Sequence, residues 1–360
     1  LIDRFLQLAG VDAMSGNERA MADLLLAFAR ERHLDCYEDD AGRSAGTNTG
    51  NIIIKYGDGG NTLFLSHMDT ARSTAKLQPI IMEDRITSDA TTVLGVDNRL
   101  GITALLSALE IICNSGSSGS GFTIAFTICE ESTLAGSRFL TPDLRIKRAY
   151  AFDSSQRPGA FIIKAPGAKE FTINVHGKAS HSGIAPEAGI NALQIAARAV
   201  ANLPLGRIDD DSTMNIGPFH CDAATNVVPP RVTMVGEIRS AWNERADEIE
   251  AELLYTFNQA IKGTDASFNY ESDWDFQPYS IDAKAEVRKH LIKCLENLNI
   301  KIRPIASFGG SDANVLNAKG IPTINLGIGA QNPHSNEEFV LFEDMINSTK
   351  IALELMQNEL

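Results

Sequence analysis

Short apolar runs alternate with segments of helical period along the first 150 residues. Ala20, Leu24, Leu25, Phe28 and Ala29 recur at the spacing of one helix face, predicting a helix over 18–33. Residues 51–56 are a β-branched run. Residues 62–65 are another, leading into Ser66-His67-Met68-Asp69. Residues 100–112 read as a helix and the Ser/Gly stretch 115–121 as a loop. Residues 122–128 read as a buried strand ending at Cys129-Glu130-Glu131, and 148–152 as a strand ending at Asp153. Such alternation predicts an α/β fold: a mostly parallel sheet sandwiched by helices.

Around Gly167 the texture changes. Residues 171–176 alternate apolar and polar, as a half-exposed antiparallel strand does. A helix follows over 191–202, then strand-like runs at 213–216 and 232–238, a charged helix over 244–260 and a last run at 267–270. This β-α-β-β-α-β order is ferredoxin-like. Helix and strand alternate again after about residue 280, with 287–297 helical and 322–326 a strand. The pattern predicts one α/β domain from 1–167 and 275–360, interrupted by an α+β domain over 168–274. The alanine-rich helix in the insert can pack closely against a partner or cover its own sheet.

Composition narrows the function. With 44% hydrophobic and 22% charged residues the chain is ordinary globular material, not a disordered one. A net charge of −14 excludes a basic nucleic-acid footprint. Cys36, Cys113, Cys129, Cys221 and Cys294 are scattered and never in C-x-x-C spacing. They read as small buried hydrophobes in a reducing compartment, not as a disulfide framework or a cysteine zinc finger. Asp3, Arg4, Asp12, Glu18 and Arg19 interrupt any signal-peptide core, and no run approaches a spanning helix. The expectation is a cytoplasmic protein without membrane or nucleic-acid partners. The 115–121 loop lacks the Gly-Lys-Ser/Thr of a phosphate loop.

The candidate chemistry lies where strands end. His67 and Asp69 follow one strand, Glu130 and Glu131 a second, Asp153 a third; Asp97 opens a helix, and His334 follows the 322–329 segment. In open parallel sheets ligands bind outside the carboxyl ends of the strands. Any one such acid is more often a turn or a helix cap; it is the recurrence that points to a site. Two adjacent glutamates after an apolar run are electrostatically awkward unless a cation sits between them. Imidazole with carboxylate and no thiolate suits Zn²⁺ or another transition metal. Two histidines and at least three carboxylates exceed the needs of one tetrahedral zinc. They suit two metals about 3.5–4 Å apart that share a bridging carboxylate.

Ser-His-Met-Asp-Thr (66–70), Leu-Gly-Val-Asp-Asn-Arg-Leu-Gly (94–101), Cys-Glu-Glu (129–131), Phe-Asp-Ser (152–154) and His-Ser-Asn-Glu-Glu-Phe (334–339) resemble, in order and across essentially the whole chain, the motifs of the co-catalytic two-zinc metallopeptidases. That family includes peptidase T, carboxypeptidase G, aminoacylase-1 and succinyl-diaminopimelate desuccinylase; the approach to Asp97 is most similar to peptidase T-like members. Ser180-His181-Ser182-Gly183 and Gly189-Ile190-Asn191-Ala192 are similar to the family's lid-domain signature. The resemblance implies a zinc-exopeptidase fold whose insert is a ferredoxin-like lid and dimerisation domain. It implies two Zn²⁺ per subunit, with Co²⁺ or Mn²⁺ as alternatives. His67 and Asp153 would hold one, Glu131 and His334 the other, with Asp97 bridging. Glu130 would be the general base, and Asp69 would orient the His67 imidazole. Asn98 departs from the family's usual Asp-Asp pair.

His181, Asn226 and Arg239 match positions that contact substrate in relatives, each with a plain surface or strand role as the alternative. His181 would stabilise the oxyanion, from its own chain or from a partner in a homodimer. Backbone amides at Gly310 and Ser311 can meet a substrate carboxylate, or Ser311 can simply cap a helix. His33, His176, His220 and His290 read as structural. The implied activity is a metallopeptidase, an exopeptidase that cleaves an amide bond of short peptides. An N-acyl-amino-acid deacylase with the same metals and base is the alternative within enzymes. A non-catalytic zinc-binding relative is the alternative outside them, and the presence of Glu130 speaks against it.

Overall fold

The computed structural model describes residues 1–115 and 121–358. The loop expected at 115–121 therefore lies largely outside the described residues. The chain divides into two compact units. The first comprises 1–164, 280–307 and 311–360, and the second 165–279 with 308–310.

In the first unit the strands Thr62–His67 and Phe122–Thr127 are buried along their whole length. Continuous apolar runs of this kind fit the middle of a sheet covered on both faces. They pair in parallel, with Leu65 beside Ala125 and His67 beside Thr127. On its other side Leu65 pairs with Ala151 of Arg148–Ser154, and Thr323–Gly327 adds a fourth parallel strand. Antiparallel strands flank this centre: Ile52–Tyr56 and Asp35–Glu38 on one side, Ala160–Ala165 on the other. The sheet is thus mixed with a parallel core.

Alternate residues supply the two faces. Leu63, Leu65, Ala149 and Ala151 cluster with Leu140 and Leu316. Phe64, Tyr150 and Phe152 form a line of aromatic contacts on the opposite side. The helix Val96–Ser115 packs on Thr62–His67 and Arg148–Ser154, with the C-terminal helix Phe342–Gln357 against it. It is buried almost all round, as its lack of a polar face requires. Gly101 allows the close approach: a β-carbon there would lie 2.3 Å from the Phe152 carbonyl oxygen and 2.6 Å from Ser66 Oγ.

Several elements were not expected. Ala160–Ala165 is one and the C-terminal helix another. A small antiparallel sheet of Pro79–Ile81, Arg85–Ser88 and Phe339–Leu341 is a third, and it ties the segment after His334 to the chain before Asp97.

The second unit is a five-stranded antiparallel sheet with two helices. Gly167–His176 lies between Arg231–Ser240 and Ser267–Phe276, and Ser212–His220 pairs with Arg231–Ser240. This is the ferredoxin-like arrangement, extended by the short edge strand Gly206–Asp209. Ala192, Ala196 and Ala199 of the helix Ala192–Val200 are buried against their own sheet, along with Ile249, Leu253 and Phe257 of Asn243–Ile261. Small residues here let the first helix sit close to the strands. Asn191 caps it, accepting from the Gln194 amide at 3.0 Å.

One buried amide links the sheet margin to the turn that bears the glutamate pair. Asn51 donates to Asp39 Oδ2 at 2.8 Å and to the Gly136 carbonyl at 2.9 Å, and accepts from the Ile128 amide at 3.1 Å. Asn51→Ala takes away the partner of the Ile128 amide and of Asp39 Oδ2, while the Gly136 carbonyl keeps the Leu140 amide at 2.9 Å. The expected loss is about 3 kcal/mol of stability, read from urea unfolding of the full chain; a change within error would show that the amide carries no net stability.

Candidate active site

Parallel register brings the chemistry to one edge. Thr62–His67 ends on His67, which is 1% exposed. Its neighbour Phe122–Thr127 leads through Ile128 and Cys129 into the short turn of helix Glu130–Thr133. Its other neighbour, Arg148–Ser154, carries Asp153. Asp97 sits at the mouth of Val96–Ser115, where Asp97 and Asn98 leave helical geometry and their peptide bond is cis. His334 comes from the loop after Thr323–Gly327 and has a left-handed backbone, φ +62°.

The six groups form two lobes. His67 Nε2 lies 3.1 Å from Asp97 Oδ1 and 3.1 Å from Asp153 Oδ1. His334 Nε2 lies 3.0 Å from Glu131 Oε1 and 3.5 Å from Asp97 Oδ2. The two oxygens of Asp97 therefore face different imidazoles. Ligand atoms of His67, Asp97 and Glu131 fall within 4.8 Å of one another. Glu130 Oε2 is 3.9 Å from His67 Nε2, beside the first lobe.

Asp69 meets His67 Nδ1 through its backbone carbonyl at 3.1 Å, and through Oδ1 at 3.4 Å. A carbonyl can only accept, so Nδ1 carries the hydrogen; in the neutral form of the ring Nε2 would then turn a lone pair toward two carboxylate oxygens. Lone pairs facing carboxylates call for a cation between them. Burial alone would lower the His67 pKa, but Asp153, Asp69 and Asp97 outweigh it and hold it well above the ordinary value. Burial, reinforced by Asp153, pushes Glu130 well above the usual carboxylate range. Burial also raises Glu131 against the pull of His334. Burial opposes ionisation of Asp97 as well, yet His334 and His67 bring it to about 2. Bonds to Asp97 and Glu131 raise His334 to about 10. Four carboxylates and two imidazoles match the charge and the N/O donor preference of two divalent transition-metal ions.

Several residues that hold this set escaped the reading of the sequence. The Asp69 carboxylate accepts from the amides of Glu130 and Glu131, each at 3.1 Å, and from Ser15 Oγ at 2.6 Å. Glu18, fully buried, accepts from the Cys129 amide at 3.0 Å. Asn98 donates to the Phe152 carbonyl at 2.7 Å and to Asp153 Oδ1 at 3.3 Å; Asn325 donates to Asp153 Oδ2 at 3.0 Å. Glu338 accepts from the amides of Gly95 at 2.6 Å and Asp97 at 3.1 Å, and burial pushes its pKa up to about 7. Asp312, which burial pushes up to about 6, accepts from Thr127 Oγ1 at 2.6 Å. Asn325 was the most discoverable, being an amide between Ile324 and Leu326 in a fully buried strand.

In the second unit, His181 is exposed and its Nδ1 accepts from the amides of Gly183 and Ile184, both at 3.2 Å. With Nδ1 accepting, the ring hydrogen lies on Nε2, away from these contacts. Asn226 is exposed, and its backbone carbonyl accepts from the Ser182 amide at 2.9 Å. Arg239 pairs with Glu237 through two bonds of 2.9 and 3.2 Å and lies 5.9 Å from the Phe276 ring centroid. A β-carbon at Gly310 would come 2.3 Å from that same ring. In the first unit, Ser311 Oγ is taken up in a capping box with Asn314 at the start of Asp312–Ala318. His290 is buried, with Tyr150 on one ring nitrogen and the Asn358 carbonyl on the other.

Residues 163–265 match the model of a peptidase dimerisation domain, and residues 276–351 match that of the M42 glutamyl aminopeptidases. The protein YqjE of Bacillus subtilis is 28% identical over 99% of this chain and 97% of its own length. A tripeptidase from Staphylococcus aureus superposes with a TM-score of 0.91 at 28% identity, covering 99% of this chain and 96% of that one. Aminopeptidase PepT from Bacillus cereus superposes with a TM-score of 0.90 at 30% identity, covering 99% of this chain and 97% of that one. With its strand-end cluster of imidazoles and carboxylates, the chain belongs to the peptidase T family of metallopeptidases.

Proposed function

We propose that this metal-dependent exopeptidase removes the N-terminal residue of short peptides, tripeptides foremost, using two Zn²⁺ ions per chain. The substrate class follows the names of its aminopeptidase and tripeptidase relatives. The observation that carries the reading is the placement of Asp97, one oxygen toward His67 and the other toward His334. His67 and Asp153 would hold one ion and Glu131 and His334 the other, with Asp97 serving both. Ions so held would supply Lewis acidity for the scissile carbonyl and for a water.

The chain's own groups do the rest. Glu130 is left out of the ligand set and sits beside it, where its raised proton affinity suits a base. It takes the proton from the attacking water and delivers it to the departing amine nitrogen. The Asp69 carbonyl fixes the His67 tautomer that offers Nε2 to metal. His181, with Nε2–H free of the amide contacts on Nδ1, donates to the oxyanion as it forms. The inserted unit serves as lid and dimerisation domain, and His181 acts from its own chain or a partner's. Among the described residues no helix is long and apolar enough to cross a membrane.

Metal-loaded protein should hold two ions per chain by elemental analysis and lose turnover of a tripeptide panel on chelation. A fully active preparation that never exceeds one equivalent would refute the two-ion assignment. Turnover of N-acyl amino acids in preference to peptides would point instead to a deacylase.

Glu130→Gln should lower kcat by about 10²–10⁴ with metal content unchanged, whereas Glu131→Gln should lose metal. The reverse pattern would exchange the two roles. His181→Ala should lower kcat by about 10²–10³ with both ions retained. If His181 serves a neighbouring chain, mixed dimers of His181→Ala and Glu130→Ala should regain activity, because one composite site is intact.

A further inference from the structure

Glu18 is an unusual residue to find fully buried, and its bonds run away from the helix it precedes. It occupies the N-cap position of Arg19–Glu31 but makes no side-chain cap bond there. Its Oε1 accepts from the Gly16 amide at 2.9 Å, from the Cys129 amide at 3.0 Å and from Cys129 Sγ at 3.5 Å. Its Oε2 is buried with no hydrogen-bond partner among the described residues. A carboxylate with one oxygen unsatisfied costs the fold free energy, so the bonds made by the other oxygen are where its contribution lies.

Those bonds end on the turn that presents the glutamate pair. Cys129 has a left-handed backbone, φ +53°, ψ 36°, which a non-glycine residue adopts only when its surroundings enforce it. The helix it opens, Glu130–Thr133, is four residues long and has no side-chain cap of its own. Its leading amides are received from outside: that of Cys129 by Glu18, those of Glu130 and Glu131 by the two oxygens of Asp69. Ser15, from the same N-terminal segment as Glu18, holds Asp69. Three consecutive amides are thus fixed by two buried carboxylates that are not themselves assigned to metal.

We propose that Glu18 is a positioning residue for the general base: through the Cys129 amide its carboxylate holds the left-handed turn from which Glu130 projects. The inference rests on Glu130 being the base. Proton transfer tolerates little error in placement, and a shift of about 1 Å in a catalytic group can cost on the order of 10²-fold in rate. Glutamine at position 18 keeps an oxygen where Oε1 lies and so keeps both amide bonds. Aspartate keeps the charge but lacks the reach.

The test compares Glu18→Gln, Glu18→Asp and Glu18→Ala with Glu130→Gln, all as full-length, metal-loaded protein on a tripeptide. Metal content, thermal melting, kcat, KM and the D₂O effect on kcat are measured. The expected result for Glu18→Ala and Glu18→Asp is a loss of about ten- to a hundredfold in kcat. KM should be little changed, both ions retained and the D₂O effect larger, because transfer through a displaced carboxylate limits the rate. Glu18→Gln should recover most of the lost turnover. If Glu18→Ala does not fold, the glutamine and aspartate variants decide. Aspartate matching the natural protein, or glutamine falling as far as aspartate, overturns the proposal. Full activity in Glu130→Gln removes the base reading itself. An inactive Glu130→Gln beside an unimpaired Glu18→Asp removes only the role of Glu18.

Discussion

Negative charge held out of water is the condition under which this active site is built. Asp97, Glu130, Glu131 and Asp153 converge at the ends of buried strands, with Asp69, Asp312, Glu18 and Glu338 close by. Carboxylates are stable there only where hydrogens or cations meet them. The protein divides them accordingly. One group, Asp97, Glu131 and Asp153, faces the two imidazoles. The other is turned back onto main-chain amides: Asp69 onto Glu130 and Glu131, Glu338 onto Gly95 and Asp97, Glu18 onto Cys129. Acids of the second group hold in place the backbone that aims acids of the first.

Asn98 fits the same logic. An ionised aspartate there would add charge and could only accept. The amide donates instead, to the Phe152 carbonyl and to Asp153, and accepts from the Gly101 amide at 3.0 Å. It thereby links Asp97, Asp153 and the helix that separates them in sequence. A neutral residue at this point lowers the negative charge of the cluster without loosening the framework.

The sheet and the residues gathered at its edge were readable because they follow from period and position. An apolar run that ends in a histidine or an acid states both the strand and the edge it points to, and parallel register does the rest. The ferredoxin-like order was readable for the same reason: its strands alternate cleanly, as Arg231–Ser240 shows. Ala160–Ala165 was harder, since it is short and bracketed by Pro158-Gly159 and Pro166-Gly167, which read as breaks. The helix Phe342–Gln357 mixes Ser348 and Thr349 into its buried face and so blurs its period. Glu18 and Glu338 were illegible in principle: an acid beside a helix start or in a polar loop looks like a surface residue until the fold shows where its carboxylate goes.

The order of the strands along the chain also governs how the sheet is made. Arg148–Ser154 pairs on one side with Thr62–His67, already synthesised, and on the other with Thr323–Gly327, which follows the entire inserted unit. At about 5–20 residues per second, roughly ten to thirty seconds of translation separate these two partners. Throughout that interval the inner edge of a strongly apolar sheet lacks its neighbour, an arrangement that invites pairing with other chains. The inserted unit, made in that interval, is antiparallel and has a core of its own. Production of this enzyme is therefore most vulnerable to aggregation between the completion of its first half and the arrival of a five-residue strand near its end.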